Sequence, residues 1–183
     1  MIVLAVVLVI IVLLLLFIVP QYNSLVRLRN ETQNAWAQVD VVLRRRYDLV
    51  PNLVETVKGY AAHERETLEA VIQARSGAVD SSTVADRADS ENILSGALRR
   101  LFALSEAYPN LKADSNFMEL QNELVQTEGR IVYARANYNE SVLRFNNMVQ
   151  VFPSNIIAGV FNFVVSDFFE IEDEASGSVS VQF

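Results

Sequence analysis

The first residues of the chain constrain its fold most, because they contain nothing but apolar side chains. The run MIVLAVVLVIIVLLLLFIV occupies residues 1–19. At about 1.5 Å of rise per residue, a helix of this length reaches about 28 Å, close to the thickness of a bilayer's hydrocarbon core. The run lacks the basic start and the small-residue cleavage site of a signal peptide, and its purity disfavours a soluble core helix. We therefore predict a retained transmembrane anchor over residues 1–20.

The charges that flank this anchor predict its orientation. No Lys or Arg precedes the apolar run, whereas Arg27 and Arg29 follow it closely. The positive-inside rule then places the N-terminus outside the cell and the following domain in the cytoplasm. Pro20 lies at the expected membrane boundary, where a proline ends or kinks a helix.

The composition of the rest indicates one helical domain, over residues 21–169. Only 4 Pro and 6 Gly occur in 183 residues, which suits an all-helical fold. The net charge of -7 argues against general nucleic-acid binding, which needs a basic surface. Cysteine is absent, which excludes disulfides, thiolate metal sites, a cysteine nucleophile and a lipid-accepting cysteine.

Apolar and small residues at three- and four-residue intervals predict one very long helix from Tyr22 to about Arg75. Pro51 lies inside it, and we expect a kink there rather than a break, because the apolar pattern continues beyond it. The stripe comprises Leu25, Leu28, Thr32, Ala35, Val39 and Val42, and then Leu49, Leu53, Val57 and Tyr60.

The middle of the chain predicts a long loop and a second helix. Residues 76–90 are rich in Ser, Asp and Gly and have no apolar period, which indicates a loop. A helix is predicted over residues 91–107, and the Tyr108-Pro109-Asn110 sequence predicts a turn after it.

The third long helix has the clearest pattern. Asn116 and Glu119 resemble a capping box, and the helix is predicted to end before Pro153. Its stripe follows a heptad spacing and must be buried against partners, so we predict an antiparallel bundle of three long helices. The stripe comprises Phe117, Leu120, Leu124, Thr127, Ile131, Ala134, Tyr138, Ser141, Phe145 and Met148.

The C-terminal region contains a short apolar helix and an acidic tail. Apolar residues cover nearly every side of a helix over residues 154–169, and Ser154 is positioned to cap it. Such a helix either closes the bundle and meets another subunit, or lies on the membrane surface. The acidic residues from Asp167 to Glu174 disfavour the membrane, because anionic headgroups would repel them. For residues 170–183 we favour a disordered end over a strand that pairs with a neighbouring chain.

Motifs for catalysis or ligand binding do not occur in this sequence. The single histidine, His63, lies in HERE, which lacks the paired histidines of a metalloprotease helix, and a solvated helical histidine is the simpler interpretation. There is no GxSxG turn and no glycine-rich phosphate loop. We therefore predict no catalytic, cofactor-binding or metal-binding residues, no cofactor, and a protein that is not an enzyme.

The arginines at 44–46 are the best candidates for recognition. Three consecutive residues spread widely around a helix, so these side chains cannot all face one partner. Pairing with Asp40 and Asp48 inside the same helix is the simpler interpretation, and pairing with carboxylates of another helix or subunit is the alternative. We assign structural roles to the nearby polar and aromatic residues Trp36, Asn52 and Tyr60.

Several segments together resemble the bacterial LemA family. They are YNSLVRLRN, NAWAQVDVVLRRRYDLVPNLVETVKGYAAHE, LSEAYPNLKADSNFMELQNELVQTEGRI, ARANYNESVLRFNN and FPSNIIAGVF, between Tyr22 and about Phe169. The resemblance implies one N-terminal membrane helix followed by an antiparallel helical bundle, without a known reaction or catalytic residues. It also implies an association with membrane zinc proteases of the HtpX type or with TPM-domain membrane proteins.

Two hypotheses for function follow. The first is a membrane-anchored scaffold that forms a homo-oligomer through its long helices and its apolar C-terminal helix. The second is an adaptor or regulator of a membrane enzyme, for which charge reversal at Arg44 to Arg46 should abolish binding without unfolding the bundle.

Overall fold

The computed structural model describes residues 1–170, and this part of the chain is built from helices joined by turns, without a strand. The all-α class and the long apolar N-terminal helix predicted from the sequence are confirmed. The expectations for the acidic tail after Glu170 lie outside the described residues. In chain order the helices are α1 (Ile2–Tyr60), α2 (Arg65–Asp80), α3 (Val84–Ser105), α4 (Pro109–Lys112), α5 (Ser115–Gln150) and α6 (Ser154–Val160).

The described chain divides into two compact units, to both of which α1 and α5 contribute. Unit 1 contains residues 1–39 and 134–167, and unit 2 contains residues 40–133 with residues 168–170. The apolar start of α1 is the one described stretch that is long and apolar enough to cross a membrane, and none of it is buried. The helix continues through Pro20 instead of ending there.

In unit 1, α1 and α5 run antiparallel and enclose an apolar cluster with α6. The Thr32 hydroxyl donates a hydrogen bond to the Ser141 carbonyl oxygen at 3.3 Å, and the rings of Trp36 and Tyr138 lie 5.1 Å apart. The residue numbers rise along α1 as they fall along α5, which shows that the helices are antiparallel. Thr32, Ser141 and Tyr138 belong to the two predicted stripes, whereas Trp36 lies beside its stripe. The buried members of the cluster are Leu25, Phe145, Ile157, Ala158 and Phe163.

The short helix α6 ends earlier than its apolar composition predicts. Asn162 has a φ of 54°, in the left-handed region that asparagine tolerates better than most residues. The Phe163 amide then donates to the Ala158 carbonyl oxygen at 2.9 Å, which closes the helix with a Schellman-type turn. Residues 163–170 are not helical, so the predicted helix over residues 154–169 is wrong in its second half. Ser154 donates to the Val151 carbonyl oxygen and does not cap α6.

In unit 2, the predicted single helix from Tyr22 to Arg75 is two helices. α1 ends at Tyr60, a turn follows, and α2 begins at Arg65. Leu68 and Val71 of α2 are buried, as a helical stripe requires. The apolar spacing therefore predicted the buried positions of α2 correctly. The same spacing occurs in one long helix and in two helices that share a core, so it could not predict the break.

The predicted loop over residues 76–90 is mostly helix. α2 continues to Asp80, and α3 begins at Val84, where the Thr83 hydroxyl accepts the Asp86 amide at 3.0 Å. The buried residues here are small, including Ala78 and Ala88, so the two helices approach each other without leaving an apolar period in the sequence. α3 therefore covers residues 84–105 rather than 91–107, and residues 109–112 form a single helical turn.

Helix α5 follows its predicted stripe closely, because every predicted position is buried or half-buried. Its start differs from the prediction. The Asp114 side chain, rather than Asn116, caps the helix by accepting the Phe117 amide at 2.9 Å. The predicted capping box of Asn116 and Glu119 is therefore wrong.

Candidate functional site

The three consecutive arginines of α1 contact three different sets of partners. Arg44 pairs with Asp40 inside α1 at 2.8 Å, and Arg45 reaches Glu123 of α5 at 2.5 Å. Arg46 points inward and is only 3% exposed. Both interpretations of the triplet hold for different members: Arg44 pairs within its own helix, while its neighbours pair with other helices of the same chain.

Arg46 lies at the centre of a buried ionic cluster, which we call the ionic centre and define as Arg46, Tyr47, Glu91, Ser95 and Glu128. The Arg46 guanidinium lies 3.0 Å from one Glu91 carboxylate oxygen and 3.2 Å from Glu128. It also donates to the Ser95 hydroxyl at 2.7 Å. These contacts connect α1 with α3 and α5, so the charges hold three helices at fixed positions.

Glu91 is completely buried and is satisfied on both carboxylate oxygens. One oxygen faces Arg46, and the other accepts a hydrogen bond from the Tyr47 hydroxyl at 2.5 Å. Burial raises the pKa of Glu91, although Arg46 and Tyr47 oppose that rise. Burial and the adjacent Glu91 carboxylate together raise the pKa of Tyr47 well above its ordinary value. Glu91 therefore serves as an acceptor for two fixed donors.

Pro51 and Arg75 form a second connection around Tyr47. A proline in a helix has no amide hydrogen, so Pro51 leaves the Tyr47 carbonyl, four residues earlier, without its helical donor. The Arg75 side chain of α2 supplies one, because its Nε donates to the Tyr47 carbonyl oxygen at 2.7 Å. This hydrogen bond explains how α1 continues through Pro51 as predicted, and it fixes α2 against the same turn.

Two other polar connections hold the ends of unit 2. Arg87 of α3 contacts Asp40 at 2.7 Å and also donates to the Ser81 carbonyl oxygen. At the other end, the Tyr60 hydroxyl donates to Asp114 at 2.8 Å. The Phe117 amide and then the Tyr60 hydroxyl lower the pKa of Asp114, because both donate to its charged form.

The ionic centre has a structural role, because its charged and polar groups form ion pairs and hydrogen bonds with one another. Two surface clefts, of about 260 and 270 Å³, are lined by other residues. Reversing the charge of Arg46 would place a third carboxylate beside the buried Glu91 and the partly exposed Glu128, so we expect the triple reversal to destabilise unit 2. Arg44 and Arg45 are more exposed, and their charges can be reversed to test recognition by a partner.

His63 lies in the turn between α1 and α2, where it is exposed, and not within a helix as expected. Residues 1–170 contain no group of three or more His, Asp or Glu side chains arranged to hold a metal ion. Sequence reasoning missed Glu91, Tyr47 and Arg75. A proline at position 51 implies that the Tyr47 carbonyl has no helical donor, so this gap was predictable from the sequence. That Arg75 supplies the donor was not.

The surface of α5 within unit 2 has a second apolar stripe, which faces away from the core. Met118, Val125 and Val132 recur every seven residues and are exposed, with Val125 at 64%. Gly129 lies between the last two, and a Cβ at this position would meet no atom within 4 Å beyond its own stretch of α5. We call these four residues the outer face of α5. An exposed heptad stripe with a small residue is the type of surface against which another helix packs.

Comparisons with known proteins agree with the helical membrane framework. The sequence model of the LemA family matches residues 35–183. Protein LemA of Metamycoplasma hominis is 29% identical over 157 residues, which cover 82% of this chain and 70% of that protein. The magnetosome proteins MamQ 2 of Paramagnetospirillum magneticum and MamQ of Magnetospirillum gryphiswaldense are 26% and 23% identical. Those two matches cover 82% and 81% of this chain, which spans 65% and 64% of the relatives' lengths. Because the family model covers most of the chain, this membrane-associated helical protein belongs to the LemA family.

Proposed function

We propose that this chain is a non-enzymatic, membrane-anchored scaffold that forms a homo-oligomer at the cell membrane. The observation that carries the proposal is the outer face of α5, which exposes a heptad stripe on a helix already buried along its other side. One helix with two stripes can pack inside its own subunit and against a neighbouring copy at the same time. The names of the relatives describe no reaction.

The anchor in this proposal is the apolar start of α1, over residues 1–20. Ile18, near its end, packs against the cluster of Leu25, Phe145 and Phe163 in unit 1. A removable leader would not contribute to the core of the domain that follows, so this contact favours a retained single-pass helix. Arg27 and Arg29 follow the span without acidic neighbours before Glu31, which favours an outside N-terminus and a cytoplasmic domain. The helical domain then covers residues 21–169, followed by the acidic tail at 170–183.

The outer face has the chemistry of a helix-helix contact between copies. Methionine and valine provide apolar area, and the bare backbone at Gly129 lets a second helix approach closely. The chain's net charge of -7 opposes random association, so the pairing would depend on this apolar stripe.

Regulation of a membrane enzyme, such as an HtpX-type zinc protease or a TPM-domain protein, is the second candidate. The same outer face would accept a helix of a different protein. The two functions differ in one respect, because a scaffold associates when purified alone and a regulator needs its partner. The magnetosome is named for the MamQ relatives alone, and this proposal does not extend it to the present chain.

The test is the absolute mass of the full-length protein in a mild detergent, compared with the variant Val125→Glu/Val132→Glu. Charges on the outer face should oppose helix pairing, so we expect a defined assembly of several copies for the wild type and a monomer for the double variant. Gln126→Glu, an exposed change on the same helix, is the matched control and should leave the assembly intact. A wild-type monomer would refute self-assembly, and circular dichroism would verify that the variants fold.

A further inference from the structure

We propose that α6 and the residues beside it form a second membrane contact, which lies in the interfacial layer of the bilayer next to the point where α1 leaves it. This surface, which we call the interfacial surface, consists of Phe152, Ile156, Val160 and Phe161. The inference rests on the single-pass anchor proposed above.

Helix α6 packs against α1 close to the end of the apolar run. The ring of Tyr22 lies 4.7 Å from that of Phe161 and 5.9 Å from that of Phe163. Tyr22 follows Val19, the last residue of the apolar run, by three residues, or about 4.5 Å of helix rise. Ile18, which lies inside the run, also packs against the cluster that contains Ile157 of α6. α6 is therefore fixed beside the end of the span.

The outward side of α6 is as apolar as its inward side. Ile156 and Val160 are spaced by four residues and share one face of α6, and Phe152 lies in the turn that precedes the helix. Phe152 is 74% and Val160 69% exposed, and Phe161 next to them is half exposed. Water is an unfavourable neighbour for such a patch, whereas the boundary between headgroups and acyl chains accommodates apolar and aromatic side chains.

The charges near the span favour lipid as the occupant. The chain has no charged residue from Phe145 to Ser166, a stretch of 22 residues. Between the apolar run and Glu31 the charged residues are Arg27 and Arg29, and Arg29 lies 5.1 Å over the ring of Phe163. Arginines beside an apolar patch attract the anionic headgroups of a lipid surface.

The first of the acidic residues that follow α6, Asp167, lies away from the end of the span. The chain turns back along α5 after α6, where Ser166 exchanges two hydrogen bonds with Asn146 at 2.8 and 2.9 Å. The Tyr138 hydroxyl then donates to the Asp167 carbonyl oxygen, and the Tyr138 ring contacts Trp36. Trp36 follows Val19 by seventeen residues, or about 25 Å of helix rise, so Asp167 lies far from the end of the span.

The absence of cysteine permits a direct test with single-cysteine variants of the full chain. Ile156→Cys and Val160→Cys would carry an environment-sensitive fluorophore, in vesicles of phosphatidylcholine and phosphatidylglycerol. Ala136→Cys, exposed on α5 in the same unit, is the matched control, and Val12→Cys inside the apolar run reports the anchor. Quenching is measured with spin labels attached at shallow and at deep lipid positions and with aqueous iodide.

We expect lipid-attached quencher to reduce the fluorescence at positions 156 and 160 at least about threefold more than at position 136, with iodide acting in the opposite order. Iodide quenching at 156 and 160 equal to that at 136 would overturn the interfacial contact. Shielding from both quenchers would also overturn it, because another protein surface would then cover α6. Failure of the deep lipid label to quench at position 12 would refute the anchor itself, so the two failures are distinguishable.

Discussion

The two units of this chain differ in what lies at their centres, although both bury apolar residues of α1 and α5. Unit 1 is held by an apolar and aromatic cluster, in which Phe145 and Phe163 have ring centres 6.5 Å apart. Unit 2 has at its centre a buried arginine and a buried glutamate, Arg46 and Glu91.

This difference shows what each kind of core specifies. Apolar packing gains free energy from almost any arrangement that excludes water, so it tolerates changes in which residues touch. A buried ion pair is favourable only when both charges and their hydrogen bonds are in place, and losing one partner costs several kcal/mol. Removing one partner of the buried pair in unit 2 should therefore cost at least as much as removing a buried ring in unit 1.

The largest effect is expected at Arg46. Arg46→Ala leaves Glu91 buried without its cation and should lower the free energy of unfolding by about 3–5 kcal/mol. Chemical denaturation of the full-length protein in detergent, followed by circular dichroism, measures this loss. Arg44→Ala, which removes an exposed pair in the same helix, should cost less than about 1 kcal/mol. Equal losses for the two variants would contradict the assignment of Arg46 as the centre of unit 2.

Phe163→Ala is the corresponding change in unit 1. It removes a buried ring that contacts Tyr22 and Phe145, with an expected cost of about 3 kcal/mol. Hydrogen exchange resolved by peptide should show the loss of protection in α6, while α3 remains protected. Arg46→Ala should produce the reverse pattern. If both variants exposed the same amides, the two units would not be separately stabilised.

Loss of the hydrogen bond from Arg75 to the Tyr47 carbonyl should have an intermediate effect on stability, and a double-mutant cycle can test it. Arg75→Ala leaves the Tyr47 carbonyl without a donor and should cost about 1–3 kcal/mol. Pro51→Ala restores the helical amide to that carbonyl, so Arg75→Ala should cost clearly less in this background. The double-mutant cycle from denaturation curves reports the difference. Strict additivity would mean that Arg75 does not replace the missing amide of Pro51.

The smallest expected effect is a dependence on pH at the start of α5. The pKa of Asp114 is lowered in the folded state, so its contribution to stability is present above its ordinary pKa and is lost as the pH falls through the folded value. Asp114→Asn should remove this part of the acid sensitivity, while Asp86→Asn serves as the control. Acid titrations of the wild type and both variants measure it, and identical profiles for wild type and Asp114→Asn would exclude the role.

Periodicity predicted the helices and their buried faces, because burial of a stripe depends on local spacing. It missed the break at residues 61–64 and predicted too long a loop around residues 81–83, since the breaks depend on where α2 and α3 fold back against α1. Small residues such as Ala78 and Ala88 allow that approach but leave no apolar signal. The ionic centre was hidden for another reason: Glu91 reads as an exposed residue near a helix start, and only its distant partner makes its burial possible.

The most direct measurement of the central claim is oxidative cross-linking of Val125→Cys in native membranes, where the full chain is at its natural location. If copies pair through the outer face of α5, cysteines at this position should form a disulfide-linked dimer. Gln126→Cys, which is exposed on the same helix but rotated by about 100° from Val125, should remain monomeric under the same conditions. A dimer at position 125 but not at 126 is the result that the scaffold predicts. No dimer at position 125, in membranes where the protein is present and folded, would contradict it.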